Sequence, residues 1–235
     1  NQPNPFRFYE NVKTVPLPLL EETPKIDYID LYTRKNTVPQ AFNVENISRF
    51  TALALGLSAW KAISGSRWSL RMNPSSGNLH PTEAHLILPK LGADPGGIYH
   101  YNALDHALER RADLAPGLWQ SLVSHFGRDG FLTAITSIFW RESWKYGERA
   151  FRYCQHDVGH AVAAVSLSAA CQQWRVFLMD KHSQEEIIRE TKKAILLKGV
   201  TGYGINPVNG NFSGGASGLW IENGKIVHPV KGLTI

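Results

Sequence analysis

The sequence predicts a chain of mixed helix and strand that ends in a β-rich tail. Three observations carry this. Apolar residues recur every three or four positions over 44–62, as on one face of a helix. Short apolar or alternating runs follow at 84–88, 98–101 and 131–140. Two turn signals, Asn209-Gly210 and Glu222-Asn223-Gly224-Lys225, then mark hairpins near the end.

Composition narrows the classes. With 235 residues and 43% apolar side chains, the chain supports one good core, or one core and an appendage. Lys and Arg number 25 against 20 Asp and Glu, a scattered excess of +5. No basic run interleaves with the seven Trp and eight Tyr, so a nucleic-acid partner is not expected. Cys154 and Cys171 lack Cys-x-x-Cys spacing and read as buried thiols. No signal-like segment and no uncharged run of membrane length is apparent, so a cytoplasmic protein without a membrane partner is expected.

Residues 1–24 are proline-rich, and Val15-Pro16-Leu17-Pro18 reads as extended, wrapping chain. A short helix is expected over 26–34. Asn43 suits the cap of the helix at 44–62, with Ile47, Phe50, Leu53, Ala54 and Leu57 inward. Trp60 and Trp68 flank a turn at Gly65. Then comes Arg71-Met72-Asn73-Pro74-Ser75-Ser76-Gly77-Asn78-Leu79-His80-Pro81-Thr82-Glu83. Pro74 and Pro81 fix φ, and Gly77 permits positive φ. Two hydroxyls, an amide, an imidazole and free backbone N–H groups sit in one short loop. That inventory suits a phosphate or a polar heterocycle edge, with Arg71 as a bidentate anion contact. An ordinary capped turn is the competing reading.

Beyond the loop, 84–88 reads as a buried strand or the end of a short helix. A turn at 92–97 leads into a strand at 98–101. Asn102 then caps a helix over 103–112, with Leu104, Ala107 and Leu108 inward. Residues 114–126 suit a helix, 131–140 a strand and 177–180 another strand. His156 and His160 share a helical face without a matched carboxylate, so no metal site is expected.

The loop 71–83 resembles the Pro-Ser-Ser-x-Asn flavin loop of the nitroreductase superfamily. It is closest to the Arg-x-x-Pro-Ser-Ser-Gly-x-Leu-His-Pro-Thr-Glu form of the SagB-type, azoline dehydrogenase-like branch. The resemblance continues in Gly97-Ile98-Tyr99-His100-Tyr101, in Gly147-Glu148-Arg149-Ala150-Phe151-Arg152-Tyr153 and in Asp157-Val158-Gly159-His160-Ala161. It covers about residues 5–182. It implies an α+β fold with an antiparallel sheet flanked by helices, a long helix over 146–174, bound FMN and a homodimer. The Ala- and Ser-rich run 161–170 suits close backbone approach, either of another helix or of a symmetry mate. Implied cofactor contacts are Arg34, Lys35, Asn36, Arg71, Pro74, Ser75, Ser76, Asn78 and Arg149. Asn36 stands where many relatives have Ser, and Val38 where they have a further Arg.

Residues 190–235 resemble the C-terminal part of the TldD/PmbA metallopeptidase family. That family's His-Glu-x-x-x-His helix has no counterpart in the sequence, so peptidase chemistry does not come with the likeness. The expected organisation is a nitroreductase-like domain over 1–184 and a β-rich tail over 185–235. The expected activity is an FMN-dependent oxidoreductase passing hydride to or from a small organic or peptide-like substrate, with NADH or NADPH as a co-substrate. No side chain is assigned as nucleophile or acid–base. The alternative is a catalytically inert flavin-fold scaffold.

Overall fold

The computed structural model describes residues 1–19, 21, 26–33, 38–114, 117–121, 130–179, 188–189, 192–201 and 215–234. The chain divides into two compact units, Asn1–Val176 and Phe177–Ile235.

The first unit is an α+β body. Its strands are β1 (Thr14–Pro16), β2 (Leu57–Ile63), β3 (Ser66–Arg71), β4 (Thr82–Leu88), β5 (Gly97–Asn102), β6 (Ala107–Ala112) and β7 (Leu132–Ser137). Its helices are α1 (Asp30–Thr33), α2 (Val44–Leu55), α3 (Phe139–Tyr146) and α4 (Ala150–Cys171). Five strands form one antiparallel sheet in the order β1-β6-β5-β4-β7, and β2 pairs with β3 as a separate hairpin.

The two faces of the sheet differ because side chains alternate along a strand. Ala84, Leu86, Leu88, Tyr99, Tyr101 and Leu108 share one core with Ile47, Phe50 and Ala54 of α2 and with Ala161, Val165 and Ala169 of α4. Small residues let the two helices approach, and Ser168 Oγ donates to Phe50 O at 2.8 Å. The alternate positions carry a buried polar layer. Glu83 Oε2 and Glu109 Oε2 lie 2.7 and 2.8 Å from the two ring nitrogens of His100. Arg141 of α3 donates to Glu83 Oε1 at 2.6 Å. Tyr9 packs edge-on to His100, with Arg111 on its ring at 3.5 Å.

Several expectations change. The helix begins as expected, with Asn43 Oδ1 accepting from Asn46 N at 2.9 Å, but it ends at Leu55 rather than Ala62. Leu57–Ile63 leaves as a strand paired antiparallel with Ser66–Arg71, a partner that the periodicity of 44–62 does not reveal. Residues 103–112 are no helix. Asn102 Oδ1 accepts from Leu104 N and Asp105 N, which closes a turn instead, and Ala107–Ala112 pairs with β5 and β1. The long helix expected over 146–174 runs as α4 from Ala150 to Cys171, and the strand expected over 131–140 stops at Ser137, so that Phe139 opens the helix α3, joined to α4 by a 3-10 turn, Gly147–Arg149. Trp174–Met179 has no regular structure. Most of 114–126, the Asn209-Gly210 turn and residues 181–187 lie outside the described residues.

The second unit is a three-stranded antiparallel meander of β8 (Lys193–Thr201), β9 (Gly215–Glu222) and β10 (Lys225–Thr234). Asn223 and Gly224 turn β9 into β10 with φ of 48° and 77°, as a two-residue primed hairpin requires. Among the described residues no helix is long and apolar enough to cross a membrane.

Candidate functional site

The loop between β3 and β4 is a rigid shelf built from its own polar groups. Asp157, on the buried side of α4, holds it from below. Its carboxylate accepts from Ser75 Oγ at 2.8 Å, Ser76 N at 3.0 Å and Ser76 Oγ at 3.1 Å. Ser75 Oγ in turn accepts from His80 N at 2.8 Å. Asn78 donates to Ser69 O at 2.9 Å, and its carbonyl oxygen lies 2.8 Å from His80 Nε2. These bonds hold Asn78 and His80 at φ of 57° and 48°. Gly77 also has positive φ. A Cβ there would come within 2.5 Å of the Tyr146 hydroxyl and 3.1 Å of Lys145 Nζ, so only glycine lets the loop lie against the end of α3.

The structure brings Arg71, Ser75, Ser76 and Asn78 together, but turns their side chains inward. Arg71 donates to Pro5 O at 2.6 Å and lies over the Phe6 ring, 5.3 Å from its centroid. It therefore ties the N-terminal peptide to the loop. Burial, and after it the charge of Arg141, lowers its pKa despite the favourable charge of Glu83. Pro74 is exposed at the loop's outer edge. Arg149 is exposed beyond the break between the helices, with no side-chain partner among the described residues. Arg34, Lys35 and Asn36 lie outside the described residues.

The surrounding electrostatics are those of a dry site. Burial, with the charges of Arg71 and Arg141, pushes the His80 imidazole down to about 3. His80 is therefore neutral, and its Nδ1 has no partner. Burial raises Glu83, but the hydrogen bond to His100 and the charges of Arg141 and Arg71 outweigh it and hold the carboxyl low. Glu142 is fully buried, and neither of its carboxylate oxygens has a partner. Burial first and the Asp157 charge second raise it to about 7. Cys154, beside both carboxyl groups, is pushed up to about 11 by burial and by their charges. It is thus a thiol, not a nucleophilic thiolate.

Sequence reasoning placed Asp157 within a motif but gave it no role. The signal was present. Ala150, Cys154, Asp157, Ala161, Val165 and Ser168 are all buried and follow one helical stripe. An acid on such a stripe needs donors, and the serine-rich loop is where they are. His156 and His160 are exposed on the other side. Among the described residues no group of three or more His, Cys, Asp or Glu is arranged to hold a metal ion.

Comparison with known proteins separates two likenesses. The family model of the PmbA/TldA metallopeptidase C-terminal domain matches residues 148–235, and so takes in α4 as well as the tail. The metalloprotease PmbA homolog of Buchnera aphidicola subsp. Acyrthosiphon pisum is 42% identical over 53 residues, 23% of this chain and 12% of its own. That of Haemophilus influenzae is 45% identical over 49 residues, 21% of this chain and 11% of its own. The chain thus spans only a small part of these relatives. Among solved structures, a candidate nitroreductase of Anabaena variabilis ATCC 29413 superposes with a TM-score of 0.53 at 26% identity, covering 72% of this chain and 33% of that one. The chain therefore has a nitroreductase-like α+β fold and, over part of its length, the likeness of a PmbA/TldA C-terminal domain.

Proposed function

We propose that the chain is a flavin-binding oxidoreductase of the SagB-type, azoline dehydrogenase-like branch, working as a homodimer on a small organic or peptide-like substrate. The observation that carries this reading is the shelf of Ser75, Ser76 and Asn78, pre-organised by Asp157 within a nitroreductase-like fold. The residues fit FMN as a platform more than as a ring of donors. The serine and asparagine side chains already have partners, so they shape the surface on which a flavin would lie. Direct contact falls to the loop's outer edge at Pro74 and Gly77, to the exposed Arg149, and to Arg34, Lys35 and Asn36. A bound FMN supplies reversible hydride acceptance, with NADH or NADPH as one source. The chain's own part is to position the ring, to place a cation near its pyrimidine edge and to exclude water. The two-part organisation, 1–184 and 185–235, belongs to the same reading.

A second reading has an observation of its own. The side-chain donors of Ser75, Ser76 and Asn78 are satisfied without any ligand, so an inert scaffold could keep these three residues without leaving those donors unpaired. Titrating FMN into the folded wild type and Arg149→Ala, followed by visible circular dichroism, decides between the two. The flavin reading expects micromolar binding, about tenfold weaker in the variant from loss of one charge-assisted contact. No induced signal with the wild type overturns it and leaves the scaffold.

A further inference from the structure

The N-terminal peptide is a strap held down by side chains. Among the described residues no backbone–backbone hydrogen bond joins residues 1–12 to the rest of the chain, and the first such bond runs from Arg110 N to Lys13 O at 2.8 Å. Beyond it the chain is anchored as β1, paired with β6. Asn11, at φ of 58°, turns the chain between strap and anchor. Three clasps hold the strap. Tyr9 lies edge-on to His100 at 5.1 Å, the Phe6 ring is 6.3 Å from that of Trp60, and Arg71 donates to Pro5 O at 2.6 Å. Residues 2–6 also form one wall of a cavity of about 340 Å³ whose lining takes in Asn78 of the loop.

Arg71 is the clasp whose bonding is incomplete. A guanidinium carries five N–H donors in a planar fork. Among the described residues its acceptor is one neutral carbonyl, and its Nε is buried without a partner. Glu83 attracts it, but that carboxylate already serves Arg141 at 2.6 Å and His100 at 2.7 Å. A charge shielded from water favours an ionic partner over a neutral one. An oxyanion offers the fork charge-assisted, bidentate bonds, roughly twice as strong as those to a neutral acceptor.

We propose that the strap is a displaceable lid on an oxyanion site: the Pro5 carbonyl occupies Arg71, and a phosphate or carboxylate that takes its place there releases residues 3–9. Strap and anion exclude each other at one guanidinium, so each weakens the other by the same factor. The turn at Asn11 is the hinge. The site takes a bare oxyanion and stands whether or not the loop binds FMN.

The test uses the full chain without FMN, at an ionic strength held constant with chloride. Inorganic phosphate and acetate are titrated by calorimetry. Strap release is read from tryptic cleavage after the exposed Arg7, which samples the open fraction, and from the indole N–H resonance of Trp60, assigned with Trp60→Phe. An unstructured Arg-Phe peptide corrects for the effect of each salt on trypsin. Phosphate, acetate or both should speed cleavage severalfold and move the Trp60 signal, and the effective one names the oxyanion. Phe6→Ala loosens the strap and leaves Arg71 in place. It should bind that anion about tenfold more tightly and be cleaved faster without it. Arg71→Met should lose the anion and be cleaved equally fast with and without it. Anion binding that leaves cleavage unchanged, wild-type anion affinity in a folded Phe6→Ala or Arg71→Met chain, or no binding of either anion at millimolar concentration each overturns the proposal.

Discussion

Asp157 and Glu142 lie within reach of each other's charge in the same dry region, yet they live differently. Asp157 has three donors from the loop. Glu142 has none, and it faces Asp157 and Cys154 on α4, with Lys145 on its own helix as the opposing charge. Its carboxyl therefore holds a proton up to about 7 instead of its ordinary 4.5. The sign follows from proton counting. Between those values the folded chain binds a proton that the unfolded chain has released, so stability falls as pH rises through this window and levels off above it. Glu142→Gln removes that dependence. Urea titrations at pH 5 and pH 8 should show the wild type losing up to about 3 kcal/mol more than the variant over that span. Parallel losses would mean that Glu142 ionises in the fold as freely as in the unfolded chain. None of this was legible in the sequence. Glu142 follows the strand expected over 131–140 and nothing in the sequence singles it out; only the packing of α3 shows that it is sealed in.

Local chemistry and long-range pairing part company at the level of elements. Asn43 and the Asn223-Gly224 turn were readable because each acts within four residues. Strands β2 and β6 were not, because periodicity alone permits helix there and the deciding partners lie elsewhere in the chain. Leu57–Ile63 needs Ser66–Arg71, and Ala107–Ala112 needs both β5 and the distant β1. The small residues of α4 were read as a face for another helix or for a symmetry mate, and Ala161, Ser168 and Ala169 serve the first, packing against α2 within the chain. The cap offers a direct check. Asn43→Ala leaves the first turn of α2 without its side-chain acceptor and should lower stability by about 1 kcal/mol in a urea titration. An unchanged midpoint would show that packing of Ile47 and Phe50 alone sets where the helix starts.

For the molecule as a whole, the proposed dimer must use surface other than that buried stripe. Phe139, Trp144, Phe151 and Leu167 of α3 and α4 are all exposed, Phe151 by 67%, and are the apolar groups such an interface would cover. Light scattering at micromolar protein should return the dimer mass, and Phe151→Glu should shift it to the monomer. A monomer mass for the wild type would remove the dimer from the functional reading and leave the fold untouched. The fold class itself was legible from three separated motifs, while the inward turn of the loop's side chains was not, since a list of donors does not say which way they face.

The polar layer of Glu83, His100, Glu109 and Arg141 has a consequence for how the sheet assembles. Hydrocarbon on both faces of β5 would pair almost as well after a slip of one residue, because nothing would mark the error. Here a slip would swing the His100 imidazole in among Leu86 and Leu108 and take it away from Glu83 and Glu109. A mispaired sheet would thus bury an imidazole without hydrogen-bond partners and cost two buried carboxylates one bond each, a penalty of about 1–3 kcal/mol per group left unsatisfied. The layer acts as a proofreading device for strand alignment, and the loop above it inherits that accuracy, since β4 begins where the loop ends.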